Sequence, residues 1–134
     1  MEIRIANELD VQNILGHDKW IREEQLKKKI IDKQVYVLFD GDNFAGWMRW
    51  GLFWDNTPFM NMLHLLEEYR GKGYGRKVVG NWENEMKSKG FQIVLTSTAA
   101  TETAQYFYTK LGYKEIGCFT IGDDPLEIFL SKNI

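Results

Sequence analysis

Residues 60–76 read MNMLHLLEEYRGKGYGR, an apolar run over Met60–Leu66 followed by Arg70-Gly71-Lys72-Gly73-Tyr74-Gly75-Arg76. The apolar run reads as a strand. Beyond the glycines, Tyr74, Val78, Trp82 and Met86 recur at helical spacing, with Lys87 and Lys89 in the last turn and Gly90 as a stop. A strand, a glycine loop and a helix therefore follow one another. Glycines let the backbone approach a ligand closely and turn successive N–H groups towards it. The helix adds its positive N-terminal end, and Arg70, Lys72, Arg76 and Lys77 add full charges. The arrangement suits a pyrophosphate; the bland alternative is a glycine-rich turn with solvated basic residues.

Other phosphate and nucleic-acid motifs fail here. No G-x-x-x-x-G-K-[ST] string exists. The dinucleotide fingerprint G-x-G-x-x-G breaks at Arg76 when started from Gly71 and at Val78 when started from Gly73. Lys72-Gly73-Tyr74-Gly75 opens like the aromatic RNA-recognition signature, but Arg76, Lys77 and Val79 break it, and a helix follows where that signature needs a strand.

Outward from the loop, residues 2–6 alternate around Ile3 and Ile5 as a short strand. Asn7 or Asp10 can cap a short helix through about Leu15, and Asp18 reads as the N-cap of a helix carrying Trp20, Ile21, Leu26 and Ile30. Val35–Phe39 is a strand, Gly41-Asp42-Asn43 a turn, and 44–54 the returning strand. On the C-terminal side come Ile93-Val94-Leu95 as a strand and a helix over about 102–111. Ala104, Phe107, Tyr108 and Leu111 space that helix, with Thr101 as N-cap and Gly112 at its end. Strands at 113–117 and 126–130 flank a turn at Gly122-Asp123-Asp124-Pro125. The order β-α-α-β-β-β-α-β-α-β-β predicts an α+β (or α/β) fold, a mixed and mostly antiparallel sheet flanked by helices.

With 134 residues, two prolines and no linker or repeat, residues 1–134 are expected to form a single domain. Seventeen Lys+Arg against nineteen Asp+Glu give a net charge of −2, which leaves no electrostatic footprint for nucleic acid or an acidic membrane. Cys118 stands alone, which excludes an intramolecular disulfide and fits a reducing, cytoplasmic setting. No run reaches the roughly 18 apolar residues of a membrane span, and the N-terminus has no apolar h-region of a signal peptide. No metal-ligand spacing is present. Aromatics make up 14% with five Trp, which points to a large-ring core or to an aromatic-lined pocket.

The loop resembles motif A of the GNAT superfamily, the acyl-CoA N-acyltransferases, whose pattern Q/R-x-x-G-x-G/A is met by Arg70, Gly73 and Gly75. A second string, Thr101-x-x-Ala104-x-x-Phe107-Tyr108-x-Lys110-Leu111-Gly112-Tyr113, resembles motif B of the same family, with Thr101 for the commoner Asn and Tyr113 for Phe. The resemblance covers residues 60–117 and reaches the N-terminal half through element order. It implies acetyl-CoA as co-substrate, held between the strand ending at Leu66 and the strand at 92–96. Main-chain groups of Leu65 and Leu66 would pair with the pantetheine arm. Amides of Gly71, Lys72, Gly73, Tyr74, Gly75 and Arg76, beside Arg70, would take the pyrophosphate. Thr101, Ala104, Phe107, Tyr108 and Lys110 would close the thioester end.

Tyr108 is the candidate acid, since a phenol protonated at pH 7 can donate to a departing thiolate. The alternative is a packing role, because it shares the apolar spacing of Ala104, Phe107 and Leu111. His64, near the end of the central strand, has an unperturbed pKa suited to proton abstraction, or is a structural or surface histidine. Its face depends on whether the strand bulges. His17 is assigned no role, and Glu67 and Glu68 act through water or merely solvate a turn. Trp47 and Phe53 alternate onto one face of their strand, Trp50 and Trp54 onto the other. At least one face is core; the other lines an acceptor pocket or a homodimer surface. The expected function is acetyl transfer to a primary amine of a small molecule or peptide by direct attack in a ternary complex. The alternatives are a non-enzymatic acyl-CoA-binding module and an RNA-binding domain.

Overall fold

The computed structural model describes residues 1–134. Seven strands form one sheet in the order β1-β2-β3-β4-β5-β7-β6: β1 Glu2–Ile5, β2 Val35–Asp40, β3 Asn43–Phe53, β4 Thr57–Leu65, β5 Ile93–Ala99, β6 Lys114–Phe119 and β7 Glu127–Asn133. Four α-helices interrupt them: α1 Val11–Leu15, α2 Glu23–Ile31, α3 Tyr74–Ser88 and α4 Ala104–Lys110. The mixed, mostly antiparallel α+β architecture is the one the element order predicts. By contact the chain divides into two compact units, residues 1–51 with 62–80, and residues 52–61 with 81–134.

In the first unit β1, β2 and β3 pair antiparallel, with a register shift at Leu38/Phe39. Val35 and Val37 share a strand face by their period of two, and Leu26 and Ile30 share a helix face by their spacing of four. These four join Ala6, Val11, Ile14 and Trp47 in one buried cluster. Asn7 caps the turn before α1: its side chain accepts from the Leu9 amide, while the Asp10 carboxylate accepts from the Asn7 amide. Gly46 lies so close to β4 that a Cβ there would sit 2.4 Å from the His64 carbonyl oxygen.

Asp18 does not cap α2, which begins at Glu23 with Arg22 at its N-cap. Its carboxylate is buried instead, and accepts from Arg49 Nε (2.8 Å), Trp47 Nε1 (3.0 Å) and the Trp20 amide (3.0 Å). A buried cation and an indole N–H outbid a helix end for the one available carboxylate, because each would otherwise be desolvated without a partner.

In the second unit β4 pairs parallel with β5 through Phe59↔Leu95 and Met60↔Thr96, and β7 pairs antiparallel with β5 on one side and β6 on the other. Trp82, Met86, Val94, Leu130, Tyr108 and Tyr113 are buried there. Glu83 holds Tyr113 Oη and Lys132 Nζ, both at 2.8 Å. α4 starts at Ala104, with Thr103 rather than Thr101 preceding it and no side-chain cap. Gln105 closes that turn, donating to the carbonyls of Ala100 and Glu102. At its other end Gly112 adopts φ +96, and Tyr113 N donates back to Tyr108 O, the glycine-terminated ending read from the sequence. Trp47 and Trp50 are both buried, but Trp54 lies beyond β3 in a turn and is exposed, so the strand alternation expected to pair it with Trp50 does not apply to it. No helix is long and apolar enough to cross a membrane.

Candidate functional site

β4 runs into a short 3-10 turn, Glu67–Tyr69, and then into the glycine loop. Gly71 and Gly73 adopt φ +71 and +87, values that side-chain-bearing residues rarely take. A Cβ at either would meet nothing within 4 Å, so these glycines serve the backbone path and the space over the loop is open. α3 begins at Tyr74, and its first carbonyl bond is from Lys77 N to Gly73 O (3.2 Å). The amides of Tyr74, Gly75 and Arg76 therefore precede the first intrahelical bond. Arg70, Lys72, Arg76 and Lys77 are exposed around them, Tyr74 is half-buried and Gly75 buried. Unpaired amides, a fifteen-residue helix dipole and four cations with open space above them fit a pyrophosphate. The strand that an RNA-recognition signature requires after Lys72-Gly73-Tyr74-Gly75 is absent, since those residues lead into α3.

Arg70 is pinned. Its Nε donates to Leu65 O (2.8 Å) and its Nη2 lies 3.3 Å from His64 Nε2. The Leu66 amide donates to Ala45 O and its carbonyl accepts from the Tyr69 amide, both at 2.9 Å. The Leu65 oxygen keeps a second lone pair. His64 is half-buried with its ring 4.9 Å from Trp47. Burial pushes its pKa below the ordinary 6.5, Arg70 and His17 push the same way, and Asp18 opposes them. A neutral ring at pH 7 results; because a guanidinium only donates, Nε2 is its unprotonated nitrogen and the lone pair there faces Arg70. His17 itself stacks on Phe44 (5.7 Å) and Trp47 (6.1 Å). Sequence reasoning missed this aromatic group and the Asp18–Arg49 pair behind Trp47.

Tyr108 is 6% exposed. Its hydroxyl donates to Met60 Sδ at 3.7 Å, and its ring meets Phe107 (5.1 Å) and Tyr113 (5.6 Å) edge-on. Burial pushes its pKa up to about 12, against a lowering hydrogen bond with Thr96. The phenol is thus protonated at every physiological pH. Ala104 and Phe107 are half-buried, while Thr101 and Lys110 are exposed.

The model of the acetyltransferase (GNAT) family matches residues 6–113. The chain belongs to that family. Among curated relatives it is 27% identical over 62 residues to the [ribosomal protein bS18]-alanine N-acetyltransferase of Haemophilus influenzae, covering 46% of this chain and 42% of that one. It is 32% identical over 83 residues to N-alpha-acetyltransferase 30 of Schizosaccharomyces pombe, covering 58% and 55%. The chain spans about half the length of the curated relatives it matches. Among solved structures, the PaiA N-acetyltransferase of Thermoplasma acidophilum, in complex with coenzyme A, superposes with a TM-score of 0.81 at 21% identity, over 99% of this chain and 98% of that one. At that identity the likeness is one of fold. The family membership expected from the two motifs stands.

Proposed function

We propose that residues 1–134 work as one acetyl-CoA-dependent N-acetyltransferase that acts on a primary amine of a small molecule or peptide. The observation that carries the reading is the glycine loop at the start of α3, with unpaired amides and cations set around open space. In this reading the amides from Gly71 to Arg76 and the charges of Arg70, Lys72 and Arg76 hold the pyrophosphate. The main chain of Leu65 and Leu66 follows the pantetheine arm, and Thr101, Ala104, Phe107 and Lys110 belong to its thioester end. The names of the curated relatives, both N-acetyltransferases, support an amine as acceptor. The unpaired Cys118 supports a reducing, cytoplasmic setting.

In the transfer the amine lone pair attacks the thioester carbonyl carbon. A C–N bond forms, the C–S bond breaks, and sulfur leaves with the electron pair. The nitrogen gives up one proton and the departing thiolate gains one. His64, neutral at pH 7, is the chain's candidate acceptor for the first proton. Tyr108 is the hydroxyl that meets the thiolate.

Calorimetric titration with coenzyme A tests the loop. The wild-type protein should bind coenzyme A and gain thermal stability, because a ligand that binds only the native state stabilises it by mass action. Gly73→Val should abolish that binding, since φ +87 excludes a β-branched residue. No coenzyme A binding together with retention on single-stranded RNA overturns the reading. Tight coenzyme A binding without transfer to any amine makes the chain a binding module.

A further inference from the structure

The unit of residues 52–61 and 81–134 carries an aromatic surface that the acyl transfer as described leaves unused. In the β5–β7 ladder Ser97 stands opposite Phe129 and Ala99 opposite Glu127, and in the β6–β7 ladder Phe119 stands opposite Glu127. Directly opposed residues share a sheet face, as do residues two apart on one strand. Ser97, Glu127, Phe129 and Phe119 therefore project together. The rings continue sideways: Phe119–Phe129 centroids are 5.0 Å apart, Phe59–Phe129 5.8 Å, Phe53–Phe59 6.0 Å and Phe53–Trp54 4.9 Å. Phe53, Phe59 and Phe129 are half-buried, Phe119 is 39% exposed and Trp54 80%.

Trp54 is held out by a backbone that does not favour it. Asn56 N donates to Phe53 O at 3.2 Å, and Trp54 and Asp55 have φ +54 and +62, the pattern of a type I′ turn. Such turns prefer Asn-Gly, and a bulky residue there is strained. Strain kept at an exposed aromatic residue points to a use.

The Phe119 end of this face carries a carboxylate, while Lys114, opposite Ser131, lies four residues further along β7. Glu127 Oε2 accepts from Ser97 Oγ at 2.7 Å, and none of the chain's ion pairs involves Glu127. The connection from β6 to β7, residues 120–126, carries Asp123 and Asp124 and no Lys or Arg. A carboxylate without a counter-ion beside electron-rich ring faces attracts a cation and repels an anion.

We propose that this face recognises a primary ammonium carried on an aromatic body, with Glu127 holding the ammonium and Phe53, Phe59, Phe119, Phe129 and Trp54 taking the rings. It rests on the acetyltransferase reading for its consequence, the choice of acceptor, and stands on equilibrium binding by itself. In this scheme Glu127 binds the ligand as the ammonium, and the nitrogen gives one proton to solvent before its lone pair attacks. The same ligand chemistry is found in a free arylalkylamine and in a peptide whose first residue is aromatic.

Calorimetry with 2-phenylethylamine, n-butylamine and 3-phenylpropionate, with and without coenzyme A, tests it. 2-Phenylethylamine should bind about tenfold tighter than n-butylamine or better, consistent with burial of a phenyl ring, and 3-phenylpropionate should not bind. Glu127→Gln should weaken 2-phenylethylamine about tenfold and leave coenzyme A affinity unchanged. Trp54→Gly should lose amine affinity while Tm holds or rises, which a merely structural tryptophan would not give. Phe-Gly-Gly-amide against Gly-Gly-Gly-amide and 2-phenylethylamine separates the two sources by affinity. Equal binding of the amine and 3-phenylpropionate, or undiminished affinity in Glu127→Gln, overturns the proposal. Acetyl transfer without aromatic preference sinks this inference and spares the transferase reading. Glu127-dependent amine binding without coenzyme A binding does the reverse.

Discussion

Replacing Tyr108 by Phe removes one oxygen from a buried ring, and the surroundings of that oxygen set the size of the effect. The ring contacts with Phe107 and Tyr113, at 5.1 and 5.6 Å, survive the change. What is lost in the free protein is a long bond to Met60 Sδ at 3.7 Å, with Thr96 beside it, so stability should drop by about 1 kcal/mol or less. The catalytic cost is larger. In the proposed transfer a phenol at about 12 would pass its proton uphill by about 5 kcal/mol to a thiol near 8.5, so Tyr108 would act as a hydrogen-bond donor to the thiolate, whose proton then comes from solvent. A hydrogen bond to a charged group is worth about 1.5–3 kcal/mol, or about 10- to 150-fold in kcat. That lies at the low end of general acid catalysis. Steady-state turnover at saturating acetyl-CoA over about pH 6–9, with coenzyme A affinity measured in parallel, reads the effect. The loss should shrink for acyl donors with a better leaving thiolate. Unchanged kcat in Tyr108→Phe across that range refutes the donor role, and Tyr108→Ala would then lose stability and activity together through packing alone.

Gly46→Ala should destabilise the protein by about 1–3 kcal/mol or more, read as a lower urea midpoint at unchanged slope, because its Cβ would lie 2.4 Å from a main-chain oxygen that only strand displacement can relieve. Asp18→Ala should cost about 3–5 kcal/mol in chemical denaturation by stranding the buried Arg49, and Asp18→Leu combined with Arg49→Met should recover most of it. His64 binds its proton less readily folded than unfolded. Its contribution is therefore complete above pH 6.5 and is lost as pH falls through 6.5 towards the lowered folded value. Stability measured at about pH 8, 6 and 5 should show that decline, and His64→Gln should flatten it.

The strand, loop and helix around residues 60–90 were legible because each rests on a local rule: three closely spaced glycines, a helical period through Val78, Trp82 and Met86, and a glycine stop at Gly90 with φ +91. The glycine ending of α4 at Gly112 was legible for the same reason. Asp18 was not. Its partners Trp47 and Arg49 lie 29 and 31 residues away, so a residue with the chemistry of a helix cap became a buried counter-ion through tertiary contact alone. Trp54 defeated strand alternation because the chain turns left-handed there, at a residue type that gives no warning of it. The ring environment of His64 was equally hidden: it depends on where Trp47, His17 and Arg70 fall across strands and loops. The Ser97–Glu127 bond spans 30 residues and carries no sequence motif at all.

The most direct test of the central claim is mass-spectrometric detection of an N-acetyl product with simultaneous measurement of released coenzyme A thiol, using purified protein, acetyl-CoA and a panel of primary amines and peptides. The account predicts protein-dependent product in one-to-one stoichiometry with thiol for at least one amine, with both signals lost together in Gly73→Val. Thiol release without acetylated amine, or product formation that persists in Gly73→Val at wild-type rate, would contradict it.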